Sequence, residues 1–177
     1  MGWVDRDRLY AMNGRTRKPQ MALAESFGIE DYAQPAGGCC FLTDAAYAKK
    51  LRDLWQTRRE KRYELDDIML LKVGRHLRPR PHFKVIVARD AGETQYLRGY
   101  RKQYAPLMMT SHQGPISLLE GDVDEGDVKL AARIAARFGQ GRAARDVHFE
   151  VVMTNGVRRT LTVVPFKAEE IAAEWYV

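Results

Sequence analysis

Apolar residues recur at helical spacing in the first third of the chain and alternate with polar ones over much of the rest. Asp5 to Met12 reads as a short helix closed by Asn13-Gly14. Pro19 suits the first turn of a second helix, which runs through Met21, Leu23, Ala24 and Phe27 to a stop at Gly28. Gln34 to Cys40 is a loop by composition. Thr43 or Asp44 then caps a helix with Tyr47, Leu51, Leu54 and Trp55 on its apolar side. Further on, His82–Arg89 predicts a strand and Glu93–Gln103 a helix. Leu107–Thr110 and Ile116–Leu119 predict two short strands around Gln113-Gly114-Pro115. Acids at 120–127 lead into a helix ending at Phe138, where the macrodipole favours their charge. Val147–Thr154 and Val157–Pro165 flank Asn155-Gly156, a strong hairpin signal, and a last helix is expected over Lys167–Trp175. Helices and strands mix without regular βαβ repeats. The expected class is therefore α+β: a helical N-terminal segment, then a mixed α/β domain with a C-terminal β-hairpin.

The 177 residues suffice for a sizeable core, and 45% hydrophobic with 29% charged is a globular balance. The longest aliphatic runs, Ile68–Leu71 and Val85–Ala88, are too short to span a bilayer, and Met1–Asp5 lacks the order of a secretion signal. Cys39 and Cys40 are the two cysteines; as neighbours they form no disulfide framework and no C-x-x-C metal pair. A reducing, cytoplasmic setting with no membrane partner and no metal is expected. No G-x-x-x-x-G-K-[ST] loop or Ser/His/Asp arrangement is present.

The net charge of +6 is concentrated: residues 58–84 hold nine Lys/Arg against four acids. Pro79 and Pro81 forbid a continuous helix at the end of this run, and the compositional boundary lies near residue 60. Such a segment suits phosphates, with Tyr63, His76, His82 and Phe83 as stacking candidates, or forms a solvated basic loop. Lys129, Arg133 and Arg137 make a second basic stripe on one helical face, again solvated or RNA-facing. Asp90 suits a helix cap and Gly114 a tight turn. Cys40, in a Gly-Gly loop before a helix, is either an activated thiolate or a small buried side chain.

Two stretches carry a family resemblance. Arg17–Ile29, with Leu23-Ala24-Glu25 and Gly28, followed by Gly38-Cys39-Cys40-Phe41, resembles the part of tRNA thiouridylases that follows their ATP-pyrophosphatase domain. That resemblance implies a Gly-x-Cys-Phe position for Cys40, where sulfur is taken up as a persulfide, although Gln34–Gly38 replaces the family's Asp-Ser-x-Gly. Phe83–Thr94 with Arg89-Asp90, then Leu107–Thr110, Gly114-Pro115 and the long helix, looks like the NFACT-type RNA-binding domain as attached to thiouridylase-like proteins; Asp67–His76 is also characteristic of that version. Together they imply a thiouridylase-like segment at 1–60 and an NFACT-type domain at 61–177. The implied function is a tRNA-binding accessory module in uridine thiolation, with Cys40 relaying sulfur. ATP and a persulfide donor would belong to a partner ATP-pyrophosphatase, whose Ser-Gly-Gly-x-Asp-Ser loop is absent here. No complete active site lies in this chain. The implied RNA contacts are Lys72, Arg75, His76, Arg78, Arg80, Lys84, Arg89, Asp90 and Gly114. The alternative is a non-catalytic structured-RNA-binding or protein-scaffold module.

Overall fold

The computed structural model describes residues 5–13, 16–31, 41 and 44–177. Cys39 and Cys40 lie outside the described residues. The chain divides into two compact units, Met1–Cys39 and Cys40–Val177. The division therefore falls before the helix that the charge profile assigns to the first part. In the first unit α1 (Lys18–Ser26) starts with Pro19 in its first turn, and the chain leaves at Gly28 with φ of 66°. Asp5–Met12 forms only a single 3-10 turn, Arg6–Arg8.

The second unit is an α+β fold around a six-stranded antiparallel sheet of order β1-β2-β4-β3-β5-β6. Its strands are β1 (Arg75–Arg80), β2 (Phe83–Val87), β3 (Ala105–Met109), β4 (Ser117–Gly121), β5 (Val147–Val152) and β6 (Arg158–Val163). The helices are α2 (Ala45–Arg58), α3 (Leu65–Leu71), α4 (Ala91–Leu97) and α5 (Glu125–Arg137). Asp44 caps α2 through Tyr47 N–H, Asp90 caps α4 through Glu93 N–H, and Asp124 and Asp127 close a capping box on α5.

Alternation along the strands sends each face to a different partner. Phe83, Val85 and Val87, with Leu107, Phe149 and Val151, pack under Val128, Ala131, Ile134 and Ala135 of α5. Ile86 and Leu118 on the opposite face pack against Leu70 of α3, Leu97 of α4 and Tyr100. Both faces of β2 are thus covered, and all five of its residues are buried. Leu51 and Leu54 of α2 pack on Leu71 in a smaller cluster.

Two segments depart from the pattern's expectations. β1 contains Pro79, which is tolerated because the strand lies at the sheet edge and its register shifts between Leu77 and Arg80. Lys167–Trp175 is not a continuous helix but two 3-10 turns, Ala168–Glu170 and Ala173–Trp175. The segment is shaped by its contacts: Phe166 meets Trp175 edge-on and Tyr176 forms a bridge to Leu77.

Candidate nucleic-acid interface

Four of the nine cations of the basic run, Arg58, Arg78, Arg80 and Lys84, are paired with carboxylates among the described residues. Arg78 donates from Nε and Nη2 to Asp53 at 2.5 and 2.9 Å, and Arg80 donates to Asp127 at 2.7 Å. Lys84 is buried and placed 2.9 Å from Glu120 and 3.5 Å from Asp53. Arg58 pairs with Asp67. Burial alone would raise the Asp67 carboxyl, but the Arg58 guanidinium and the Glu64 N–H outweigh it and hold that carboxyl below its ordinary value. Of the implied phosphate contacts, Arg78 and Lys84 are therefore fold-holding cations, whereas Arg80 is paired but its side chain stays 46% exposed. Lys84 cannot reach a ligand while 1% exposed.

His76 corrects the sequence reading most clearly. It is 1% exposed, and its Nε2 lies 2.9 Å from the Val73 carbonyl oxygen. It cannot stack on a base. Burial, reinforced by Lys84 and Lys50, pushes its pKa well below the ordinary histidine value. Because the folded value is depressed, its contribution is fully present above the unfolded pKa and is lost as pH falls below it. Stability should therefore decline as pH falls through the ordinary histidine range, because the unfolded chain takes up a proton that the folded chain refuses. Urea unfolding at pH 7 and pH 5 checks this: the stability lost between the two should be smaller in His76→Leu than in the unmodified chain.

Arg89 is exposed but held by Glu93, which accepts from its Nε at 2.7 Å, and it also donates to the Lys72 carbonyl at 3.1 Å. Asp90 is occupied as the α4 cap, the turn role its position suggests. Lys72 is exposed, with Nζ 4.0 Å from the centre of the Phe41 ring.

One end of the sheet gathers what remains. β1 begins there with Arg75 opposite Val87, β4 begins there with Ser117 also opposite Val87, and β3 ends there with Met109 opposite Phe149. α5 finishes at the same end with Arg137 and Phe138. Gly114, Phe138, Gly139 and Arg142 line an open groove of about 540 Å³. Phe138 and Arg142 also line an adjoining groove of about 310 Å³, together with Arg75, Arg137, Ile171 and Tyr176. The Arg75 guanidinium lies 4.9 Å from the centre of the Phe138 ring. Among the described residues, Arg75, Arg137 and Arg142 have no carboxylate within ion-pairing distance. One arginine in the last turn of a helix is an ordinary match to the dipole. Three converging unneutralised guanidiniums beside an aromatic ring make a surface suited to phosphate and base.

Glycines let the walls of this groove close. A Cβ on Gly114 would sit 2.9 Å from Met109 Cε, and one on Gly139 would sit 2.5 Å from the same atom. Of the residues the resemblance implies, the structure brings Arg75 and Gly114 to the groove. Sequence reasoning placed Arg137 on a basic stripe but passed over Arg142, whose signal was the Phe138-Gly139-Gln140-Gly141-Arg142 run closing that same helix. Arg133 of the stripe faces elsewhere, 3.8 Å from the Phe166 ring centre and bonded to the Val164 carbonyl. Among the described residues no group of His, Cys, Asp and Glu could hold a metal ion, and no helix is long and apolar enough to cross a membrane.

The model of one protein family, described as NFACT protein RNA binding domain, matches residues 74–176. Both grooves fall within that match, whereas most of the basic run precedes it. Among solved structures, the C-terminal part of the fibronectin/fibrinogen-binding protein from Streptococcus suis is similar, with a TM-score of 0.51 and 18% identity over 75% of this chain. The alignment spans 61% of that structure, and at this identity the likeness is one of fold. No curated protein matches the sequence.

Proposed function

This chain belongs to the family of NFACT protein RNA-binding domains, and from that membership we propose that it grips structured RNA at the end of the sheet where Arg75, Arg137 and Arg142 converge. The observation that carries the reading is this unneutralised arginine cluster beside Phe138; Arg78, Arg80 and Lys84 of the basic run are already paired within the fold. Phosphate contacts from the cluster position the RNA and release counterions.

Within this reading the RNA is tRNA and the setting is uridine thiolation beside a separate ATP-pyrophosphatase. The support is the thiouridylase-like segment Arg17–Leu42. Cys40 would accept the outer sulfur of a persulfide donor, which leaves as a thiol, and pass it on to the ATP-activated uridine, AMP leaving as the carbon–sulfur bond forms and an added thiol supplying the two electrons that cleave the sulfur–sulfur bond and free Cys40. Cys40→Ser would then abolish sulfur transfer in the reconstituted system and leave tRNA affinity unchanged.

Binding of the whole chain to total tRNA and to length-matched duplex DNA across a salt series tests the proposal. The expected result is a preference for tRNA, with log K falling linearly against log salt by about 0.7–0.9 per phosphate contact. No binding at low salt refutes it and leaves the protein-scaffold alternative.

A further inference from the structure

We infer that the larger groove is a pocket for one unpaired nucleotide, whose base edge is read by the side chains of Gln113 and Gln140; the inference rests on the RNA-binding reading above. The two glutamines come from different loops, after β3 and after α5, yet the fold clasps them together. Gln140 N–H donates to the Gln113 carbonyl at 2.9 Å, and Gln140 Nε2 donates to Gln113 Oε1 at 3.2 Å. Gly139 suits this approach, since a Cβ there would sit 3.3 Å from the Gln113 carbonyl oxygen itself. Both glutamines are exposed and line the 540 Å³ groove. Its size lies within the ~300–1,000 Å³ range of small-molecule sites.

The amide pair is only half used. A primary amide offers two N–H donors and a carbonyl acceptor. After the mutual bond, the Gln113 NH2 donors and the Gln140 Oε1 acceptor have no partner among the described residues, on two side chains already joined to each other. A donor beside an acceptor matches the edge of a nucleobase, which presents the complementary pair. In a duplex that edge is occupied or recessed, whereas an unpaired loop base can be splayed out to meet it. Arg142 and Phe138 line both this groove and the arginine groove, so phosphate, ring and edge contacts serve one nucleotide.

The test compares an RNA hairpin carrying a five-nucleotide loop with a blunt RNA duplex of equal phosphate number. Both are measured with the whole chain and with its Gln113→Ala/Gln140→Ala variant. The wild type should bind the hairpin at least about tenfold tighter, and the variant should erase that difference without moving the duplex affinity. Equal wild-type affinities for hairpin and duplex would overturn the pocket while leaving RNA binding intact. A hairpin preference that survives in the variant would overturn the glutamine readout. Absence of binding to either RNA at low salt would overturn the RNA reading and this inference with it.

Discussion

Replacing Arg75, Arg137 and Arg142 together by glutamine is expected to weaken tRNA binding about a hundredfold or more near 0.1 M salt. Each guanidinium is free of carboxylates among the described residues, so it reaches a phosphate without first breaking an ion pair. A charge-assisted hydrogen bond contributes about 1.5–3 kcal/mol, and solvent screening at these partly or fully exposed side chains lowers each to about 1. Three such bonds reach about 3 kcal/mol, and the salt slope should flatten by about two to three units, on the order of one for each arginine removed. Glutamine keeps much of the side chain's length and its polarity, so the fold should persist. Arg158→Gln with Arg159→Gln provides the comparison. Those arginines already pair with Glu150 and Glu125 near the opposite end of the sheet, and their loss should change affinity by less than about threefold. Electrophoretic mobility or anisotropy titrations distinguish the two variants. Equal losses in both would reduce the arginine cluster to a share of the net charge.

Asp53→Ala should destabilise the fold by about 3–5 kcal/mol, measured as a shift in the urea midpoint. Asp53 sits on α2, 7% exposed, and accepts from Arg78 while facing the Lys84 ammonium. Lys84 projects from β2, whose residues are all buried, and is 1% exposed. Without Asp53, Lys84 keeps Glu120 alone and Arg78 keeps the Pro81 carbonyl. Two cations would then share insufficient counter-charge in a poorly hydrated region, and that desolvation cost, more than the missing attraction, sets the size of the effect. The exposed Arg158–Glu150 pair provides the contrast: Arg158→Gln should cost less than about 1 kcal/mol. A similarly small loss in Asp53→Ala would show that α2 is not fastened to the sheet through this aspartate.

The elements with strong local signals were legible. The hairpin at Asn155-Gly156 and the helix after the acidic turn follow from turn chemistry and period alone, and both appear within a few residues of the expected limits. β1 was hidden because Pro79 and Pro81 look like breakers, and only its edge position makes a proline acceptable. Lys167–Trp175 has helical composition, but tertiary contacts of Phe166, Trp175 and Tyr176 determine its path. The basic run misled for a similar reason. The carboxylates that pair Arg78, Lys84 and Arg80, namely Asp53, Glu120 and Asp127, are distant in sequence, so local charge counting overstates the excess left for a ligand. The groove was legible in part through Arg75 and Gly114. Its other half comes from the far end of α5, and only the antiparallel register brings the two halves together.

RNA seated at this end of the sheet is the central claim. Photo-cross-linking of the whole chain to 4-thiouridine-bearing tRNA, with the linked peptides identified by mass spectrometry, tests it directly. Cross-links are expected at Arg75, at residues 110–116 and at residues 137–143. Cross-links confined to residues 58–63 or to the β5–β6 hairpin, with none at the groove, would contradict it.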